Sequence, residues 1–171
     1  MVLRRLHSTA EMTRLYQRFD TEAAYRTAID SVLTAARQTL QILDFDLSRM
    51  ELETPARNRL LANFLQPSTD RKLLVAVHDA ACIGKSMPRL VDLLTKHSHN
   101  IEIRTIPAEF RHLTDCHVLA DGIHGVRRFH TMHARGSYIL DDATEVHPWW
   151  QRFGDLWGHC TPAEISSGLR I

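Results

Sequence analysis

Lys72-Leu-Leu-Val-Ala-Val77 is an unbroken apolar run of strand length behind a single lysine. A strand with one face in water alternates apolar and polar residues. This one does not, so it is expected to be buried on both faces, as an inner strand of a parallel sheet is. Parallel strands need crossovers, usually helical, and the flanks supply them. On the N-terminal side Tyr25, Ala28, Ile29, Val32, Leu33 and Ala36 recur at helical spacing. They predict a helix over residues 21–38, with Asp20 or Thr21 as N-cap and Glu22 in its first turn. Leu40-Gln-Ile-Leu-Asp-Phe45 reads as a strand with Asp44 and Asp46 at its carboxyl end. Thr54-Pro55 opens a second helix, whose apolar side is Leu60, Leu61, Phe64 and Leu65. On the C-terminal side residues 86–97 read as a third helix. Ile101-Glu-Ile-Arg-Thr-Ile106 is the next strand, stopped by Pro107.

The pattern then changes. Asp115–Ala120, Gly125–His130 and Ser137–Leu140 are three short strands in close succession, with Asp121-Gly122 as a turn between the first two. A closing helix over 143–158 carries Val146, Trp149, Trp150, Phe153 and Trp157 on one stripe, read as core. The order predicts an α/β fold: a mixed sheet flanked by helices in a single domain over 20–160. Residues 1–19 are an N-terminal extension able to hold a strand, and 161–171 a C-terminal tail.

At 171 residues the chain has the length of one domain and buries about 70% of its unfolded surface, enough for a core without staples. A net charge of +1 leaves no bulk field, so nucleic acid and membrane are not expected partners. Cys82, Cys116 and Cys160 form no C-x-x-C pair and suit a reducing cytosol. Met1–His7 has no apolar signal core, and no run reaches the roughly 20 residues a membrane span needs. The expected location is cytoplasmic.

Several phrases resemble one half of a phospholipase-D-superfamily protein. Leu119-Ala-Asp121-Gly122 is similar to the end of that superfamily's H-x-K-x4-D motif, and Phe153-Gly-Asp-Leu-Trp157 to its closing helix. Leu73–Val77 and Ile101–Arg104 are similar to its central strands. Asp44-Phe-Asp46-Leu47, Arg111-His112-Leu113 and Arg127-Arg-Phe-His130 bring the chain nearer still to a proteobacterial family of unknown function. The resemblance implies a phospholipase-D-like fold, in which two halves meet to build one site. One His attacks a phosphodiester, the other serves as acid, and the Lys residues hold the phosphate. It also implies a homodimer or a partner protein, since this chain supplies one half. The motif itself does not carry over. Anchoring on Asp121 puts Thr114 at the His position and Cys116 at the Lys position. Anchoring on His112 puts Thr114 at the Lys position and Leu119 at the Asp position. Threonine has no imidazole to form and break a phospho-enzyme, and a thiol is no phosphate-binding cation.

The segment 111–135 stays rich in Arg, His and Asp. Period two puts Cys116, Val118 and Ala120 on one face and Asp115, His117 and Leu119 on the other. On the next strand it sets Arg128 and His130 against Arg127 and Phe129. Three readings stand beside one another. An anion pocket would use Arg127, Arg128, His112 and Asp115. A metal site would draw on His130-x-x-His133 with His112, His117 or Asp115, but lacks a tight ligand signature, so no metal is expected. Structural ion pairs along a charged sheet edge are the third. Gly84-Lys85-Ser86 lacks the earlier glycine of a phosphate loop, having Asp79 there. Asp44-x-Asp46 reads as a local turn and Asp141-Asp142 as a helix cap. The expected function is a non-catalytic binding or regulatory module for an anionic small molecule, without cofactor. The alternative is a phosphoryl hydrolase or transferase with a rearranged site of His112, Asp121 and His130.

Overall fold

The computed structural model describes residues 14–165. Leu73, Val75 and Val77 face one apolar layer, while Leu74 and Ala76 face another. Lys72–Val77 (β3) is therefore covered on both sides, as its composition requires. It lies parallel to Thr39–Asp44 (β2), with Leu40 opposite Leu73, and parallel to Ile101–Thr105 (β4), with Leu73 opposite Ile101.

The helices begin where their caps dictate. Glu22–Ala35 (α1) starts after Thr21, whose hydroxyl accepts the Ala24 N–H at 3.1 Å. Pro55–Leu65 (α2) follows Thr54, which accepts the Arg57 N–H. The single helix expected over 86–97 is instead two, Ala81–Ser86 (α3) and Pro88–Lys96 (α4). They break at Met87, which the following proline drives out of the helical region to φ −126°, ψ 60°.

Past β2 the sheet turns antiparallel. Cys116–Ala120 (β5) pairs with β2, His124–His130 (β6) with β5, and His133–Leu140 (β7) with β6. Leu15–Phe19 (β1) lies along β7, and Thr161–Pro162 (β8) along β4. The order is β1-β7-β6-β5-β2-β3-β4-β8. Both edge strands thus fall outside the 20–160 span. Residues 1–13 of the N-terminal extension and 166–171 of the tail lie outside the described residues. β7 starts at His133 rather than Ser137, because pairing with β6 draws in residues that do not alternate. The register slips between Arg128 and His130. At Gly136 a Cβ would stand 1.9 Å from the Arg127 carbonyl oxygen and 2.4 Å from the Phe19 ring, so β7 crosses there only as glycine.

Ala143–Trp157 (α5) follows Asp142, whose carboxylate accepts the Glu145 N–H. It packs on the face opposite α1–α4 and buries Val146, Phe153 and Leu156, with Trp149, Trp150 and Trp157 half-buried beside them. No helix among the described residues is long and apolar enough to cross a membrane.

Candidate functional site

In sheets of this kind ligands bind beyond the carboxyl ends of the parallel strands. Here β2 ends at Asp44, β3 at Val77 with His78 next, and the antiparallel β5 begins between them and β6. A cleft of about 120 Å³ opens at that end, among Phe45, His78, Arg111, Thr114, Cys116 and Thr131. A larger groove of about 330 Å³ between β1 and α1 has one charged lining residue among the described residues, Arg18. The cleft holds the denser chemistry. It also contains Thr114 and Cys116, the two positions that anchoring on Asp121 matches to the family's His and Lys.

Each wall has a local cause. His78 donates from Nε2 to the Leu113 carbonyl at 2.8 Å, which holds the 107–115 loop against the sheet. Since a carbonyl only accepts, Nε2 is the donor. The Phe45 and His78 rings lie 5.8 Å apart, making one wall aromatic. Thr131 N–H donates to the Thr114 carbonyl at 2.7 Å, joining the tip of the β6–β7 hairpin to the loop before β5. The Cys116 thiol lies beside the Asp44 carboxylate, and both are buried. Burial pushes the thiol well above its ordinary range, with the Asp44 charge adding to it, so it stays protonated. Burial likewise raises Asp44, against N–H groups of Leu47 at 2.6 Å and Asp46 at 3.2 Å that favour its charged form. These bonds, with Asp46 accepting from Ser48, make Asp44-x-Asp46 a local turn.

The expected ligand-binding set does not assemble. Arg127 and Arg128 leave β6 on opposite faces, as period two requires. Arg128 is fully buried under α1. Its Nη1 and Nη2 donate to the two Glu22 oxygens at 2.8 and 2.9 Å, its Nε donates to the His130 carbonyl, and its guanidinium sits 5.0 Å from the Tyr25 ring. The Arg128 hydrogen bonds hold the Glu22 carboxyl below its usual range. Arg127 lies on the α5 face, its guanidinium 3.5 Å over the Trp149 ring. The buried Asp115 carboxylate takes a bond of 2.6 Å from Arg152 and has Arg127 Nε at 3.5 Å. His112 is exposed, 6.5 Å from the Phe110 ring.

The alternative catalytic set is equally dispersed. Asp121 sits at the far end of β5, roughly 16 Å along the strand from Cys116. Its carboxylate accepts the N–H groups of Arg37, Gln38 and Thr39 at 2.8, 2.8 and 2.9 Å, closing the turn that feeds β2. Asp121→Ala orphans all three donors, and the expected result is a loss of about 2 kcal/mol, read as a lowered urea midpoint at unchanged slope. His130 accepts the Met132 N–H on Nδ1 at 3.1 Å, so its Nε2 carries the proton. Its ring lies 5.4 Å from that of His133, while His117 is buried on the opposite face against Phe153. Among the described residues no three metal-ligating side chains converge.

His78, Phe45 and Thr131 were not singled out from the sequence. His78 had a signal, since it directly follows the carboxyl end of a parallel strand. Thr131 reaches the cleft only through the hairpin turn, and Arg152 reaches Asp115 only through the docking of α5. Neither contact is written in local sequence.

Comparison with known proteins agrees with this architecture. The chain superposes on TrmBL2, an archaeal chromatin protein whose structure shows a novel mode of DNA binding, with TM-score 0.65 and 9% identity. That match covers 92% of this chain, which spans 57% of the archaeal protein. It superposes on Nuc from Salmonella typhimurium, a phospholipase D family member, with TM-score 0.62 and 10% identity over 89% of this chain and 99% of that one. NucT from Helicobacter pylori gives TM-score 0.57 and 11% identity over 88% of this chain and 100% of the other. The fold is phospholipase-D-like: one α/β domain with a mixed eight-stranded sheet flanked by helices. No protein of curated function matches the sequence. The model of one family, Domain of unknown function (DUF7931), matches residues 4–165, and the chain belongs to that family.

Proposed function

We propose that this chain is a binding module: a single phospholipase-D-like half that recognises a small anionic ligand and has lost phosphodiester cleavage. One observation carries the reading. Cys116, at the family's Lys position, is a buried, protonated thiol beside Asp44, and its cross-strand partner Arg128 is locked onto Glu22. The motif's own positions therefore supply no cation to hold a transferring phosphoryl group, and the cation that lines the cleft, Arg111, lies on the loop before β5. The superfamily's nucleophile does not carry over either: the imidazole that lines the cleft, His78, has its Nε2 engaged by the Leu113 carbonyl. Thr114 stands at the family's His position, and His130, across on β6, has its bare nitrogen occupied by the Met132 N–H. What the cleft does offer is hydroxyls from Thr114 and Thr131, the Arg111 guanidinium, and the Phe45–His78 wall. That set suits recognition better than bond cleavage. Phe45 and Met132 stand exposed near the cleft, which suits cover by a second copy or a partner protein. A monomeric mass by light scattering across a concentration series would count against a stable homodimer.

The test is hydrolysis of a model diester, bis(p-nitrophenyl) phosphate, with and without divalent metal. The expected result is no turnover above background. Turnover that disappears in both His78→Ala and His130→Ala would overturn the reading, because it would place a working imidazole in the cleft.

A further inference from the structure

We infer that Arg127 and Arg152, held against Trp149 on the α5 face of the sheet, form a binding site for a small organic carboxylate with an apolar or aromatic substituent. This goes beyond the reading of the chain as an anion-binding module, and adds a site on the face opposite α1, separate from the cleft.

The argument starts from how Arg127 is held. A guanidinium is planar, and its five donors leave in fixed directions. The Trp149 ring lies 3.5 Å from its central carbon, and the Phe129 ring lies 5.4 Å away. Aromatic contact strips water from the plane of the group and fixes its orientation. Burial accordingly draws Arg127 below its ordinary pKa, and Asp115 draws it back up. Its Nε edge is turned towards Asp115 at 3.5 Å, too long for a hydrogen bond, so the Nη1–Nη2 end of the fork faces away from that carboxylate. The side chain is 24% exposed and can be reached from solvent.

Charge and unmet hydrogen bonding point the same way. Asp115 is the carboxylate shared by Arg127 and Arg152, so two cations meet one anion and the cluster is left with one positive charge. Arg127 Nε, Arg152 Nε and both ring nitrogens of His117 are buried without a partner among the described residues. His117 lies one strand repeat beyond Asp115 on the same face and is fully buried. The two Nε–H groups and the one N–H of neutral His117 are three buried donors in one place, more than native proteins commonly leave unmet. One monoanion balances the charge, which favours a carboxylate over a phosphate dianion. A carboxylate also meets the free fork through two parallel bonds. The exposed Phe129, at 42%, and the half-buried Trp149 beside the fork offer an apolar seat for the rest of the molecule.

The experiment titrates the intact chain with benzoate, acetate and inorganic phosphate, following Trp fluorescence and the Arg Nε–H signals by NMR. Benzoate is expected to saturate, to shift the Arg127 signal, and to bind more tightly than acetate or phosphate. Arg127→Gln and Arg152→Gln should each weaken it by about tenfold or more, and His112→Ala should leave it unchanged. Arg127→Lys keeps the charge but loses the planar fork. It should weaken benzoate nearly as much as the Gln variant, which covers the case in which Arg127→Gln fails to fold. No saturable binding, benzoate affinity unchanged in Arg127→Lys, or phosphate outcompeting benzoate would each overturn the site. Any of these in a protein inert towards the diester leaves the non-catalytic reading standing, whereas diester turnover strikes that reading alone.

Discussion

Glu22→Ala is expected to cost about 3 kcal/mol, while Arg128→Met costs about 1 kcal/mol, although the two remove opposite ends of one ion pair. The asymmetry follows from burial. Arg128 is fully buried in the sheet, whereas the Glu22 side chain on α1 is 39% exposed. Removing the carboxylate strands a cation where water cannot reach it. Removing the cation leaves a carboxylate that water can hydrate, with methionine filling the space beside Tyr25. Urea unfolding of both single variants and the double variant measures this. The double variant should lie close to Arg128→Met, because no buried charge is then left unpaired. Equal losses from the two single changes would mean that water enters around Arg128 and that the pair is not buried in solution.

The second large effect is on acid stability. His117 is fully buried with neither ring nitrogen bonded among the described residues, and burial pushes its pKa down to about 3 from an ordinary value of 6.5. Between those values the unfolded chain holds a proton that the folded chain refuses. Stability is therefore complete above about pH 6.5 and falls as pH drops through that window. At up to 1.36 kcal/mol per pH unit, the total is on the order of 3–5 kcal/mol. His117→Leu keeps the volume and removes the titration. Its stability should exceed that of the parent by about 1 kcal/mol at pH 7, since two orphaned polar atoms are gone, and by increasingly more towards pH 4. Glu22 contributes to the acid arm of both proteins, because its carboxyl is held low by Arg128, and so cancels in the comparison. Parallel stability curves for the two proteins from pH 7 to pH 4 would show that His117 is not the buried acid-sensitive group.

The sheet was largely legible in the sequence because its central strands carry strong local signals. Lys72–Val77 has no polar face to misread, Thr21 and Thr54 cap as their residue types predict, and Asp142 does the same for α5. Period two also sorted the polar strands: Cys116 shares a core with Val118 and Ala120, and Arg127 and Arg128 part to opposite faces. Grouping those two arginines in one pocket contradicted that periodicity, and the structure keeps them apart. What stayed hidden depends on contacts between distant segments. Nothing near residue 15 announces a partner at residue 140. Thr161–Pro162 is too short to carry a pattern. Asp121 reads as the end of a catalytic motif, but its carboxylate is fully engaged by three N–H groups of the turn before β2.

The place of β1 in the sheet also sets an order of events during synthesis. Leu15 pairs with Leu140 and Phe19 with Gly136, so the first of the described strands to leave the ribosome has as its neighbour one of the last. The parallel core of β2 and β3 needs only the chain up to Val77 to meet, whereas β2 gains its other neighbour when β5 is made. Until His133–Leu140 emerges, β1 lacks the one neighbour it has among the described strands, and the wait lasts several seconds at typical elongation rates. Tyr16 and Arg18, flanking that strand's backbone with bulky and charged side chains, then guard the nascent chain against pairing with the wrong neighbour before the right one exists.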